Sequence, residues 1–267
     1  MAGTSGAARP AGLGTRSRRA PGGAVAVTTR DALLAGLTFS SGAVDAIAFL
    51  ALGKVFTAFQ TGNLVFLGLG IADADGHHVV RPALSLVCFA AGVLLGTRIV
   101  GRSHRTGPVW AGRVSAALSV GLLAEAAFAV VWASTSGHPG SASTDALLAM
   151  SALAMGLQSA AMLSLGVTGV FTTAATATVM RLMRDAADPR TAPAGERSRF
   201  AAVLVALVAG ATVGGLMLIH ARTLAPLLPL VAMAAVIALA SRRSRAGRSQ
   251  DDAVVAGMRG AAGELGS

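Results

Sequence analysis

Charge is scarce in this sequence. Asp, Glu, Lys and Arg together make up 13% of its 267 residues, whereas about 25% is usual for a soluble domain. Hydrophobic residues make up 54%, and the mean hydropathy is +0.66. The shortage of charge excludes an ordinary soluble domain and predicts a protein whose main partner is the lipid bilayer.

The chain also lacks the residues that several kinds of chemistry need. Cys88 is the single cysteine, which excludes an internal disulfide. All five histidines fall in loops or near the ends of apolar runs, so a hydrolase would have no base beside a nucleophile at membrane depth. The sequence has no phosphate-binding glycine loop and no metalloprotease motif. We therefore expect neither enzyme activity nor a cofactor.

Acidic residues are rarer than basic ones, with 12 Asp and Glu against 22 Lys and Arg and a formal net charge of +10. The basic residues lie at the two ends of the chain and in short loops between apolar runs, as the positive-inside rule expects of cytoplasmic segments. This distribution argues against a nucleic-acid-binding face. Residues 1–30 and 242–267 are predicted to be disordered basic tails, both cytoplasmic.

Six apolar runs are long enough to cross a membrane, which takes about 20 residues. They lie near 32–52, 83–101, 109–133, 145–166, 200–220 and 223–241. Two further runs, 55–71 and 168–182, are shorter and more polar. The predicted fold is an all-α polytopic transmembrane helical bundle with six full spans plus two short re-entrant or marginal helices.

The two halves of the membrane region, 31–134 and 135–241, resemble each other. In each half a span precedes a short polar segment, and a span with small residues four positions apart follows. The matching segments are 55–57 with 170–172 (Val-Phe-Thr) and 92–96 with 210–214 (Gly-x-x-x-Gly). Small residues at this spacing let helices approach closely, and such faces are also compatible with a homo-oligomer.

Loop charge bears on the topology. If both short segments crossed, the halves would be parallel sets of four spans, and the arginine-rich loop 98–113 would face outside, against the positive-inside rule. If both segments dip into the bilayer and return, each half has three crossings, the halves are inverted, and every basic cluster is cytoplasmic. We prefer this internal inverted 3+3 repeat. The other arrangement stays open, because a run of 17 residues such as 55–71 can span a thin bilayer.

Polar residues at membrane depth are the candidate functional residues, because they are costly there unless they are paired or functional. The first group is Asp45 with Thr57, Gln60, Thr61, Gly62 and Asn63. The second group, in the other half, is Gln158, Thr172, Thr173 and Thr176. Each group either lines a solute path or only satisfies the backbone groups that a broken helix frees.

Asp45 has two interpretations of its own. Its carboxyl either couples a proton or cation, or anchors the Thr-Gly-Asn turn by hydrogen bonds. Its expected equivalent in the second half is Gln158, which is polar but not ionisable. That equivalence favours a shared hydrogen-bonding role, with charge added in one half only.

Glu125 lies in the middle of the third span and is expected to face the bundle interior or an oligomer contact, since lipid exposure of a carboxyl costs a few kcal/mol. A proton relay is one interpretation of this residue. His77 and His78, with Asp73 and Asp75, have the donor types of a metal site. Their spacing is generic, so we expect a solvated loop and no metal there.

These residues resemble the signatures of the YoaK family, bacterial membrane proteins classed as a domain of unknown function. The matching stretches are Gly42-x-x-Asp45, Val55-Phe56-Thr57-x-x-Gln60-Thr61-Gly62-Asn63-Leu64 and Gly156-x-Gln158-Ser159-Ala160. Ser159 and Ala177 depart from the family, which often has Asn and Gly there. The resemblance covers about residues 31–241 and implies an integral protein of the bacterial inner membrane. It brings no established substrate, although the family is sometimes described as permeases.

The sequence therefore favours a small-solute permease or channel with a path lined by two polar broken-helix segments. Its partners would be the bilayer and an unidentified small solute. The alternative is a non-transporting membrane scaffold or assembly partner, in which the polar groups and small-residue faces serve packing alone.

Overall fold

The computed structural model describes residues 22–73, 79–101, 112–164, 175–188 and 194–243. Within these ranges the chain forms eight α-helices, one 3-10 helix and connecting turns. The helices are α1 (Gly22–Ala51), α2 (Gln60–Ala72), α3 (Val80–Val100), α4 (Gly112–Ser134), α5 (Ser141–Ser164), α6 (Ala175–Ala187), α7 (Ala194–His220), the 3-10 helix (Arg222–Leu224) and α8 (227–243).

Six of these helices confirm the six predicted spans. Each is long and apolar enough to cross a bilayer: Asp31–Ala51, Val80–Val100, Gly112–Ser134, Ser141–Ser164, Arg197–His220 and Arg222–Arg243. Their outer surfaces carry large apolar side chains more than half exposed, such as Val87, Leu123, Val130, Val205, Ile219 and Val231. So much outward apolar surface suits lipid and would be a liability in water.

The short helices differ from their predicted bounds. In the predicted segment 55–71, the helix α2 begins at Gln60, and residues 55–59 before it are not helical. The predicted segment 168–182 becomes α6, which runs on to Ala187 and carries Arg181 and Arg184. α1 begins at Gly22, inside the predicted tail 1–30, and the remainders of both tails lie outside the described residues.

Buried side chains define the two ends of the bundle. The first, which we call the Trp132 end, contains Leu52, Val55, Trp132, Leu147, Leu148, Leu218 and Ala225. The second, the Phe200 end, contains Leu33, Val100, Val114, Met162, Phe200 and Ala240. α1 therefore runs from the Phe200 end to the Trp132 end, and α5 runs in the opposite direction.

Each connection that holds a short helix starts and finishes at one end of the bundle. α1 ends and α3 begins at the Trp132 end, where Gly53 and Val80 line the same cleft as Ser141. α5 ends and α7 begins at the Phe200 end, where Met162 and Phe200 share a cluster. The described residues thus contain six candidate spans, three in each half, and both connections that hold a short helix begin and end at one end of the bundle.

Two helix pairs, α1 with α7 and α3 with α5, make the most extensive contacts in the bundle. Gly42 of α1 lies against the backbone carbonyl of Leu207, and Gly156 of α5 lies against the backbone carbonyl of Phe89. A Cβ at either glycine would overlap that carbonyl, so glycine sets the close approach. The two glycines are 114 positions apart, and their partners are 118 apart.

Ion pairs repeat at the same spacings. Arg81 of α3 lies 2.9 Å from Asp145 of α5 at the Trp132 end. Arg199 of α7 lies 2.6 Å from Asp31 of α1 at the Phe200 end. The aspartates are again 114 positions apart and the arginines 118, so one contact pattern occurs in both helix pairs.

These spacings correct one predicted equivalence. A shift of 114 aligns Asp45 with Ser159, and it aligns Gln158 with Val44. The predicted match of Asp45 to Gln158 is therefore wrong by one residue. Helix register follows the glycine contacts, whereas the sequence comparison followed side-chain polarity.

Candidate functional site

The candidate site begins where α1 stops. Gly53 and Lys54 have φ angles of +98° and +62°, and such left-handed residues end a helix and reverse the chain. Residues 55–59 then return into the bundle beside α1, which places Thr57 next to Asp45. Asp45 lies six residues before the last residue of α1, so the chain has turned back by about 9 Å.

Asp45 holds the returning segment with both oxygens of its carboxylate. One oxygen accepts three hydrogen bonds: from the backbone N–H of Thr57 at 2.7 Å, from the Thr57 hydroxyl at 3.2 Å and from the backbone N–H of Ala58 at 2.8 Å. The other oxygen accepts the N–H of Phe59 at 3.0 Å. These groups immediately precede α2, where a helix start leaves N–H donors unpaired and attracts negative charge. Asp45 therefore anchors the helix break, the second of its two predicted interpretations.

Asn63 fixes the same segment from the other side. Its Oδ1 accepts the N–H of Phe56 at 3.0 Å, and its Nδ2 donates to the carbonyl of Phe56 at 2.7 Å and to Oε1 of Gln60 at 2.8 Å. The amide thus pairs with both backbone groups of one residue, as a neighbouring strand would. Buried backbone outside a helix needs such partners.

Ser85 of α3 completes this network. Its hydroxyl donates to the carbonyl of Phe56 at 2.7 Å and lies 3.2 Å from Nε2 of Gln60, which also donates to the carbonyl of Thr57 at 2.7 Å. Nδ2 of Asn63 is 3.1 Å from the same hydroxyl. Sequence reasoning missed Ser85, because a lone serine in an apolar span is common and gives no signal.

Thr61 and Gly62 do not join the network. The side chain of Thr61 is exposed on the outer face of α2. Gly62 packs against aromatic rings, since a Cβ there would meet Phe56 and Phe59 at 2.9 Å. The predicted cluster is therefore divided, with Thr57, Gln60 and Asn63 facing the bundle and Thr61 facing away from it.

Gln158 makes a separate buried contact between α5 and α1. Its Nε2 donates to Oγ of Ser41 at 2.7 Å and to the carbonyl of Leu37 at 3.1 Å. Its Oε1 is buried without a hydrogen-bond partner in the described part of the chain. Gln158 therefore links the two close helix pairs, and these contacts lie apart from the 57–63 cluster.

The predicted threonine-rich counterpart is only partly visible. Thr176 is exposed near the start of α6. Thr172 and Thr173 lie outside the described residues, and so do Asp75, His77 and His78. The described residues thus show one of the two predicted polar segments in full.

A cleft of about 810 Å³ opens at the Trp132 end beside α2. Its charged and hydroxyl side chains are Lys54, Asp73, Arg81, Ser141 and Asp145. The ammonium of Lys54 lies 5.1 Å from the centre of the Phe49 ring. The cleft thus brings polar side chains to the end of the bundle where α2 leaves it.

Six apolar spans, an apolar outer surface and a helix broken inside the bundle together define a multi-pass integral membrane protein. Its family can also be stated. The chain belongs to the family described as Protein of unknown function (DUF1275), whose model matches residues 33–240.

Similarity to a bacterial protein supports the same family assignment. The chain is 34% identical over 160 residues, 60% of its own length and 68% of the relative's, to the UPF0700 transmembrane protein YoaK of Bacillus subtilis (strain 168). No solved structure matches the chain. The family resemblance predicted from the Thr-Gly-Asn signature is confirmed.

Proposed function

We propose that this protein is a small-solute permease or channel of the bacterial plasma membrane, with a path beside the re-entrant segment 52–73. The observation that carries the proposal is the backbone at 55–59, which leaves the helical conformation inside the bundle. Such backbone is tolerated at membrane depth only where protein or a water-filled cavity covers it. Broken helices with exposed N-termini form the solute sites of many transporters.

We assign the entrance of this path to the cleft at the Trp132 end. Phe66, Leu69 and Gly70 of α2 line this cleft together with Arg81 and Asp145. A polar solute can thus leave water among charged side chains before it reaches the helix break. The size and charge of this entrance favour small polar solutes over lipids.

An inverted repeat fits the same proposal. α1 and α5 run in opposite directions, and the glycine and ion-pair contacts recur at spacings of 114 and 118 residues. Two halves related in this way offer alternative arrangements that open towards opposite sides, as in many secondary transporters. The α6 region would then be the counterpart of α2.

Charge supports one orientation in the membrane. Most arginines in the described part of the chain lie near the Phe200 end. They are Arg98, Arg113, Arg181, Arg184, Arg197, Arg199, Arg242 and Arg243. The Trp132 end carries Lys54, Arg81 and Arg222 together with Asp73 and Asp145. From the positive-inside rule we infer that the Phe200 end faces the cytoplasm, together with the first residues of the Asp31–Ala51 span and the last residues of α8.

Solute flux into proteoliposomes tests the proposal. A Cys88→Ala background with Ser141→Cys places one thiol in the cleft, and a charged thiol reagent should then reduce flux of any solute that the protein carries. Ser134→Cys is the matched control, because Ser134 is exposed at the same end and does not line the cleft. If no solute of a broad panel moves faster than through protein-free vesicles, the proposal fails.

A scaffold or assembly partner is a second candidate, and one observation favours it. Asp45, Thr57, Gln60 and Asn63 all form hydrogen bonds within the chain itself. A network of this kind needs no solute to be stable. Crosslinking in cells that repeatedly captures one partner protein, together with absent flux, would favour this function.

A further inference from the structure

Glu125 carries a carboxyl group inside the span formed by α4. This carboxyl takes no part in the hydrogen bonds that hold the re-entrant segment. It lies nine residues before the end of α4, or about 14 Å along the helix, and it is only 2% exposed. The hydroxyl of Ser151 donates to its Oε1 at 3.5 Å, a long distance for a hydrogen bond. Asp45, by contrast, accepts four hydrogen bonds from the helix break.

A small cavity surrounds Glu125 where α1, α4, α5 and α8 meet. The other cavity residues are Val44, Ile47 and Ala48 of α1, Phe128 of α4, Ser151 of α5, and Pro226 and Pro229 at the start of α8. Among these residues none is charged or titratable, so Glu125 faces no counter-ion across the cavity.

We infer that Glu125 is a proton-exchange site, with the proton itself as its ligand. A charged carboxylate is costly among apolar side chains unless it is paired or neutralised, and a proton neutralises it without further ligands. Hard metal cations require several oxygen ligands, whereas the side chains of this cavity offer the carboxylate and one hydroxyl. Carboxyls inside spans recur in proton relays.

The first helix connects this proton site to the helix break. Val44 lines the Glu125 cavity, and the next residue, Asp45, holds the N-terminal end of α2. A change of charge at Glu125 therefore acts on the same turn of α1 that positions the re-entrant segment. This coupling rests on the proposed transport function, whereas the proton site itself does not.

Infrared spectroscopy of the full-length protein in nanodiscs tests the site without any solute. A protonated carboxyl has its own C=O stretch. Above about pH 6, where ordinary carboxyls are already ionised, we expect a remaining band that decreases as the pH is raised further and is absent in Glu125→Gln. Asp45→Asn is the control and should retain the band. A spectrum with no such titrating band, or a band that persists in Glu125→Gln, would overturn the inference.

Two further measurements sharpen the result. Exchanging choline chloride for sodium chloride should leave the titration unchanged, and a shift caused by sodium would show a sodium site instead. If Glu125→Gln does not fold, Ser151→Ala serves as the second variant. Loss of its hydroxyl should change the frequency of the band, and an unchanged frequency would count against Glu125 as its source.

The coupling has its own readout. In vesicles that move a solute, Glu125→Gln should abolish accumulation driven by a pH gradient and leave downhill exchange intact. Absent flux in the wild type would contradict the proposed function and leave the infrared result standing. Flux without the titrating band would contradict the proton site alone.

Discussion

Asp45 and Glu125 are both carboxyls inside membrane spans, yet their neighbours differ. Asp45 accepts three backbone N–H groups and a hydroxyl at the start of a helix. Glu125, among the residues that line its apolar cavity, has one distant hydroxyl donor. Both residues are acidic and both lie inside spans. They differ in the hydrogen-bond donors that folding places around them, and this difference makes Asp45 a structural carboxylate and Glu125 a candidate proton carrier.

Replacement of Asp45 by Asn should destabilise the protein by about 1.5–3 kcal/mol, the range for a hydrogen bond to a charged group. The amide keeps one acceptor, and its NH₂ group would face an N–H group of the helix break. Chemical unfolding in mixed detergent micelles, followed by tryptophan fluorescence, measures the change. Thr61→Ala is the control and should stay within about 0.5 kcal/mol of the wild type. Equal stability of Asp45→Asn and the wild type would contradict the anchoring role.

Helix pairing depends on a few glycines. Gly42 and Gly210 lie on the interface between α1 and α7, and Gly92 and Gly156 lie on the interface between α3 and α5. Without these close contacts the helices would separate, because lipid provides no hydrophobic drive to hold them together. The two pairs form the frame that positions Asp45 of α1 and Ser85 of α3 around the helix break.

Gly42→Ala should lower stability by about 1–3 kcal/mol, since its methyl group would overlap the Leu207 carbonyl and force the helices apart. Gly68→Ala is the matched control, because apart from its chain neighbours and the adjacent backbone of its own helix, no atom of the described residues lies within 4 Å of the place its methyl group would take. We expect the control to be unchanged or slightly more stable, as alanine favours helix. The same unfolding measurement applies to both, and similar losses in the two variants would count against the close contact.

A second prediction about helix pairing concerns the ion pair between Arg81 of α3 and Asp145 of α5. A partly exposed and screened pair contributes about 0.2–1 kcal/mol. Arg81→Asp or Asp145→Arg alone should destabilise the protein by more than this, because each also places two like charges side by side. The charge-swapped double variant should recover most of that loss. A double-mutant cycle measures the coupling, and a coupling energy of zero would mean that the pair contributes nothing to this interface.

At the scale of the whole molecule, six spans with a re-entrant α2 predict which residues share a side of the membrane. On a Cys88→Ala background, Asp73→Cys and Ser141→Cys should react with an impermeant thiol reagent from the outside of intact cells. Gly112→Cys should react only after the cells are permeabilised. Lys54→Cys precedes α2 and Asp73→Cys follows it, so both should react from the same side. Labelling of these two variants from opposite sides would show that the 52–79 connection crosses the bilayer, and would overturn the re-entrant topology.

The fold was largely predictable from local sequence. Each span is a continuous apolar run, and a run of that length has to be helical in lipid because its backbone groups find no other partners. The break near 55–59 was also predictable, since Lys54, Thr57 and Gln60 interrupt an apolar stretch. These features depend on residues close together in the chain, and local composition was therefore enough to determine them.

Only the tertiary structure decided which polar groups meet. Arg81 and Asp145 are 64 positions apart, so no local signal marks their contact. Ser85 joins the Asn63 network because α2 packs against α3. The glycine contacts between the paired helices correct the equivalent of Asp45 in the second half to Ser159. The sequence by itself determined the six spans and the polar break. The packing of distant helices decided that Asp45 anchors the break and that Glu125 faces no counter-ion across its cavity.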